Sequence, residues 1–165
     1  MSSLAKCAIV VPISAAILFG QSLRVTPFQT DVKTPGVFSV TLDSPPEKAP
    51  VALQWEFSIP PVIAIRPVDI TIGIAAESVG KSLACAARSA KPATRGVRYT
   101  CVLAGGQHPI ANGSIAEVRY RAQWDVKGAP IRVAIENILG ASADLSRIPM
   151  PNVGATIDIE EGPFP

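Results

Sequence analysis

Hydrophobic and polar residues alternate along most of the chain after residue 22. The alternation is clearest in five segments, at 37–42, 51–59, 116–122, 131–136 and 153–160. Side chains of a strand point alternately to its two faces, so each segment predicts a strand with one face in a core and the other in water. Less regular apolar segments at 23–28, 62–72, 81–87 and 97–103 predict further strands.

Proline- and glycine-rich breakers separate these segments, as at 44–46, 60–61, 105–106, 127–130 and 149–151. Residues 73–79 could form one helical turn, the only helical signal after residue 22. Many short strands with turn residues between them are typical of sandwiches and jelly rolls. The sequence therefore predicts an all-β fold, a two-sheet β-sandwich of about nine strands with jelly-roll topology.

The first 22 residues have a different character. Residues 1–6 carry one positive charge, 7–19 are almost continuously apolar, and 20–22 are small or polar. This order is typical of a secretory signal peptide, and the apolar run is shorter than the roughly 20 residues of a membrane-spanning helix. A buried N-terminal strand or helix is the alternative. We expect a signal peptide at 1–22, a domain at 23–161 and a frayed tail at 162–165. The mature chain would be secreted, periplasmic or held at the cell surface, with no stable membrane span.

Three cysteines are present, and Cys7 would leave with the signal peptide. The remaining Cys85 and Cys101 form an even pair in an oxidising compartment, which favours a disulfide across the hairpin formed by 81–87 and 97–103. Two free buried thiols or a metal pair are the alternatives. Only His108 could add a nitrogen ligand and no Cys-x-x-Cys occurs, so a metal site is disfavoured.

Composition and motifs indicate neither an enzyme nor a nucleic-acid-binding protein. The whole chain has a formal net charge of +2, too small a basic excess to predict nucleic-acid binding. A single histidine, His108, limits acid–base chemistry, and no nucleophile elbow or zinc-binding His-Glu-x-x-His occurs. Gly80-Lys81-Ser82 ends like a phosphate-binding loop, but the glycine needed at position 75 is Ala75. We therefore expect no enzyme, no catalytic residues, no metal and no cofactor.

Two kinds of residue remain as candidates for binding. Trp55 alternates in phase with Leu53 and Phe57, which favours a place in the core, whereas Trp124 is out of phase at a strand end and could stack on a sugar. Polar residues on three strands predict a partner-binding face, for which an ordinary solvated sheet surface is the alternative. Its members are Gln54, Glu56, Arg98, Thr100, Glu117, Arg119 and Arg121.

Two of these segments resemble strands of cohesin domains. Residues 51–60 (VALQWEFSIP) are similar to the third cohesin strand, and 113–120 (GSIAEVRY) resemble a later strand in which glycine precedes an alternating apolar pattern. The resemblance covers about 23–160. It implies a nine-stranded jelly roll related to carbohydrate-binding modules, with a dockerin-binding face supplied by strands three, five, six and eight.

The resemblance implies a non-catalytic, exported module that mediates protein–protein adhesion, with a dockerin-like or other partner, in extracellular polysaccharide degradation. Two alternatives stay open at this point. One is a carbohydrate-binding module that binds polysaccharide directly, and the other is a structural subunit of a surface assembly.

Overall fold

The computed structural model describes residues 21–27, 30–31, 35–89, 96–122, 130–157 and 159–160. These residues form thirteen strands: β1 (Ser22–Pro27), β2 (Thr30–Asp31), β3 (Gly36–Asp43), β4 (Ala52–Ile59), β5 (Ile63–Ala64), β6 (Ile70–Ile72), β7 (Ser82–Ser89), β8 (Val97–Ala104), β9 (Gly113–Ala122), β10 (Ile131–Ala141), β11 (Arg147–Pro149), β12 (Val153–Ile157) and β13 (Ile159–Glu160). One short helix, α1 (Ile74–Glu77), and 3₁₀ turns at Pro46–Lys48 and Pro67–Asp69 complete the described elements.

Eleven of these strands pair into two antiparallel sheets. The five-stranded sheet has the order β1-β3-β9, and both β5 and β6 pair with the far side of β9. The six-stranded sheet has the order β7-β8-β4-β10, and both β11 and β12 pair with the far side of β10. Strands β2 and β13 form a separate parallel pair. The predicted all-β sandwich is confirmed.

Two of the four strands beyond nine have local causes. The predicted strand at 62–72 is divided into β5 and β6 by the 3₁₀ turn at Pro67–Asp69, because proline has no N–H to donate to a ladder. The described chain also contains β11, a three-residue strand that runs beside the end of β10 and ends at Pro149, the first residue of the predicted breaker. The single helical turn expected at 73–79 is present as α1.

The core lies between the two sheets and contains the alternate residues that the apolar pattern indicated. Trp55 is fully buried, as predicted from its phase in β4. The Phe57 ring stacks on Tyr99 with centroids 4.9 Å apart, and its other neighbour, Phe38, meets it edge-on at 6.0 Å. Phe38 belongs to the five-stranded sheet and Phe57 to the six-stranded sheet, so these contacts join the two layers.

The β7–β8 hairpin carries the predicted disulfide. Cys85 and Cys101 lie directly opposite each other in the antiparallel register, and a disulfide joins them over a sequence separation of 16 residues. Cys101 is fully buried and Cys85 is packed against the core. The Cys85–Cys101 pairing is therefore confirmed, while residues 90–95 of the connecting loop lie outside the described residues.

The start of β7 is held by the buried lysine of the Gly80-Lys81-Ser82 segment, for which the sequence predicted no structural role. Lys81 is 5% exposed, and its Nζ donates hydrogen bonds to the carbonyl oxygens of Gly105 and Gly106 at 2.6 and 3.3 Å. Burial lowers the pKa of this ammonium group below its usual value. Lys81 thus ties the loop after β8 to the strand beside it.

Several predicted segments lie outside the described residues, among them most of the signal peptide at 1–22 and the tail at 162–165. Strand β1 already begins at Ser22, the last residue assigned to the signal peptide. Within the described residues, no helix is both long enough and apolar enough to cross a membrane.

Candidate binding faces

The seven polar residues predicted to form one face lie on two different sheets. Gln54 and Glu56 are on β4 and Arg98 and Thr100 on β8, so these four share the outer face of the six-stranded sheet. The remaining three are on β9, in the five-stranded sheet: Glu117, Arg119 and Arg121. Because their neighbours on β9 are buried in the core, these side chains point away from the sandwich on its opposite side. The prediction of a single seven-residue face was wrong.

We use the name six-strand face for a central set of outward residues on β7, β8, β4 and β10. From the cross-strand register and the alternation of burial, its members are Ala84, Ala86, Arg88, Arg98, Thr100, Val102, Gln54, Glu56, Ser58, Ala134, Glu136 and Leu139. In the other layer, the outward residues beside and along β9 form the five-strand face, made of Val37, Thr71, Glu117, Arg119 and Arg121.

Glu56 lies at the centre of a polar network on the six-strand face. Asn137 Nδ2 donates to Glu56 Oε2 at 2.7 Å, and Thr100 Oγ1 donates to Oε1 at 3.3 Å. Arg98 Nη1 is 3.6 Å from Oε2, which makes an ion pair between side chains that are 45% and 20% exposed. Contacts from β8 and β10 therefore hold the Glu56 carboxylate in one position.

Asn137 reaches Glu56 because β10 is bulged at this point. The pairing of β10 with β4 shifts register between Glu136 and Leu139, and Asn137 adopts a φ of 52°, a left-handed conformation that asparagine tolerates better than most residues. The Asn137 backbone N–H donates to Asn152 Oδ1 at 3.1 Å. The sequence carried a signal for this bulge, because the apolar spacing changes from two residues to three between Ile135 and Ile138.

Charge and apolarity are unevenly distributed over the six-strand face. Arg88 lies directly opposite Arg98 in the register of β7 and β8, and Glu136 lies directly opposite Glu56 across β4 and β10. One row farther along, Gln54 has Val102 on one side and Leu139 on the other. Val102 is 42% exposed. The face thus combines a basic corner, an acidic corner and a small apolar strip, which is the mixture typical of non-obligate protein interfaces.

A cleft of about 450 Å³ lies at one end of the five-strand face. Its lining residues are Pro35, Val37, Arg66, Asp69, Arg119, Tyr120 and Arg121. Arg66 Nε and Nη2 donate to the Asp69 carboxylate at 2.9 and 2.8 Å, and the Arg66 backbone N–H donates to it at 2.9 Å. These hydrogen bonds, with a smaller contribution from the charge of Arg121, lower the pKa of Asp69 to about 2.

Trp124 and His108 are the remaining candidates from the sequence. Trp124, the possible sugar-stacking residue, lies outside the described residues. His108 is exposed in the loop between β8 and β9. Among the described side chains, no group of three or more histidine, cysteine, aspartate and glutamate residues could together hold a metal ion.

Comparison with known proteins identifies the fold. No family model matches the sequence, and no curated protein does either. Among solved structures, a non-cellulosomal cohesin from the archaeon Archaeoglobus fulgidus superposes with a TM-score of 0.67 at 12% identity, covering 86% of this chain and 92% of that one.

Cohesins from bacteria superpose with slightly lower scores. The sixth cohesin of Acetivibrio cellulolyticus scaffoldin B, solved in complex with a dockerin, gives a TM-score of 0.65 at 10% identity over 86% of this chain and 99% of its own. A cohesin module from a Clostridium perfringens family 33 glycoside hydrolase gives 0.63 at 12% identity over 87% and 97%. The predicted cohesin-like sandwich is confirmed as the fold of this chain.

Proposed function

Starting from this cohesin-like fold, we propose that the chain is an exported, non-catalytic module that binds a protein partner through its six-strand face. The partner would be dockerin-like, and the setting would be extracellular polysaccharide degradation. One observation carries the proposal. The third, fifth, sixth and eighth strands predicted from the sequence correspond to β4, β7, β8 and β10, and these four are consecutive neighbours in one sheet. They are the strands that the family resemblance assigns to partner binding.

The chemistry of the face indicates what the partner must present. Arg88 and Arg98 would donate hydrogen bonds to carboxylates of the partner, because guanidinium groups form directional pairs with them. Glu136 and Glu56 would accept a lysine or arginine. Val102 and Leu139, on either side of Gln54, would be covered by a small apolar side chain at the centre of the contact.

The test compares two charge-matched variants. The protein is immobilised, and partners are captured from the culture medium of the source cells and identified. Arg88→Glu combined with Arg98→Glu changes the charge of the six-strand face, and Arg119→Glu combined with Arg121→Glu makes the same change on the five-strand face. We expect the first variant to lose the partner and the second to retain it. If only the second variant lost the partner, the partner would bind the five-strand face, and the proposal would be overturned.

The purified protein also distinguishes the two alternative functions, a carbohydrate-binding module and a structural subunit of a surface assembly. A carbohydrate-binding module would be retarded in gels that contain soluble glucans, and Trp124→Ala would abolish the retardation. A structural subunit would associate with itself in sizing experiments and capture no other protein. Either outcome, in the absence of a captured partner, would replace the present proposal.

A further inference from the structure

The cleft on the five-strand face has a basic lining that the proposed partner site does not use. Three arginines and one aspartate line it, namely Arg66, Arg119, Arg121 and Asp69. Asp69 is already engaged by the side chain and backbone of Arg66. Within the described part of the chain, no ion pair joins either Arg119 or Arg121 to a carboxylate.

The neighbouring carboxylate on β9 lies outside this cleft. Glu117 is half-buried and is not among the residues that line the cleft. Arg119 and Arg121 are both exposed. Two guanidinium forks therefore project from the same face of one strand, beside two apolar residues that line the cleft, Pro35 and Val37.

The spacing of the two arginines indicates the shape of the ligand. Residues two apart on a strand are separated by about 6.6 Å, because a strand rises about 3.3 Å per residue. An extended peptide has the same rise, so acidic side chains at every second position would meet the two forks in register. Arginine binds carboxylates with two parallel N–H···O bonds, which makes this match directional.

We propose that Arg119 and Arg121, with Arg66 and Asp69 as one wall of the cleft, bind an extended acidic peptide whose carboxylates alternate with neutral residues. This second site lies on the opposite side of the sandwich from the six-strand face. The two sites share no residue, so each can be tested without the other.

The probe is a fluorescein-labelled peptide in which glutamate and threonine alternate. Binding to the purified protein is followed by fluorescence anisotropy at low salt. We expect Arg119→Gln combined with Arg121→Gln to weaken binding by about tenfold or more, because two charge-assisted pairs are lost. Arg132→Gln combined with Arg147→Gln removes the same charge from exposed positions on β10 and β11 of the other sheet, and we expect it to change binding by no more than about twofold.

Two further probes test the register and the class of ligand. A peptide of the same composition with contiguous glutamates should bind more weakly than the alternating peptide, since only alternation matches the strand spacing. An oligogalacturonate of equal charge should also bind more weakly. Equal binding of the contiguous peptide, tighter binding of the oligogalacturonate, or undiminished binding by the Arg119 and Arg121 variant would each overturn the proposal.

Discussion

Removal of the Cys85–Cys101 disulfide should destabilise the domain by about 3 kcal/mol. The bond closes a loop over 16 residues, and the chain-entropy relation gives about 10 cal/mol/K for a loop of that size, which is about 3 kcal/mol at 25 °C. A domain of this length loses roughly 3–4 °C in Tm per kcal/mol. We therefore expect the reduced protein to melt about 10 °C below the oxidised protein.

The structure also indicates that the loss of stability on reduction is concentrated in β7. Strand β7 is at the edge of its sheet, and its outward residues Ser82, Ala84, Ala86 and Arg88 are all exposed. Little apolar surface anchors this strand, so the covalent link to β8 carries much of the attachment. On reduction, backbone amides of β7 should exchange with solvent much faster, while those of β4 and β10 should change far less.

The assay is urea unfolding followed by tryptophan fluorescence, with Trp55 as a buried reporter. The oxidised protein, the reduced protein and the variant Cys85→Ala/Cys101→Ala are compared. Reduction measures the effect of the cross-link alone. The alanine variant also loses a fully buried sulfur at Cys101, which should lower the free energy of unfolding by about 1 kcal/mol more. If the oxidised and reduced proteins differed by less than about 0.5 kcal/mol, the loop-closure reasoning would be refuted.

Three further predictions concern other parts of the fold. Gly36→Ala should cost about 2 kcal/mol in urea unfolding, because a Cβ there would lie 2.2 Å from Tyr120 Cζ. Asn112→Ala should cost about 1–2 kcal/mol, because its side chain both accepts from and donates to the Ser44 backbone at 2.9 Å. Asp69 should stabilise the fold above pH 3.8 and lose that contribution as the pH falls towards its lowered pKa of about 2. In the Asp69→Asn variant, the free energy of unfolding should therefore depend less on pH in this acid range than it does in the wild type.

Each of these predictions has a control or a contradicting result. Gly154→Ala is the matched control for Gly36, since a Cβ there would meet only ordinary contacts at 3.5 Å or more, and equal costs at both sites would contradict the steric reasoning. Gln107→Ala, in an exposed loop, controls for the Asn112 variant. Identical acid unfolding of wild type and Asp69→Asn would show that the Arg66 pair does not contribute to stability.

Strand positions and the core could be predicted from the sequence because they depend on local alternation. The phase of Trp55 with Leu53 and Phe57 was sufficient to place it in the core. The alternation also gave the correct outward residues of β4, β8 and β9, since all seven predicted polar residues do point away from the core. These features follow from the two-residue period of a strand.

Sheet membership could not be predicted in the same way. Alternation indicates which residues of one strand share a face, but not which strands lie side by side. Strand β9 pairs with β3, far earlier in the chain, rather than with β8, so Arg119 and Arg121 lie on the other layer from Arg98. The Asn137 bulge was also missed, although the changed spacing between Ile135 and Ile138 marks it. Trp124 remains a candidate on sequence grounds alone.

The central claim is that the six-strand face, rather than the five-strand face, receives the protein partner. Hydroxyl-radical footprinting of the captured complex tests it most directly. Val102 is 42% exposed on the six-strand face, and Val68, 74% exposed on the 3₁₀ turn beside the cleft, is an internal reference. We predict that the partner protects Val102 from oxidation and leaves Val68 unchanged. Unchanged oxidation of Val102, with protection of Val68, would contradict the account.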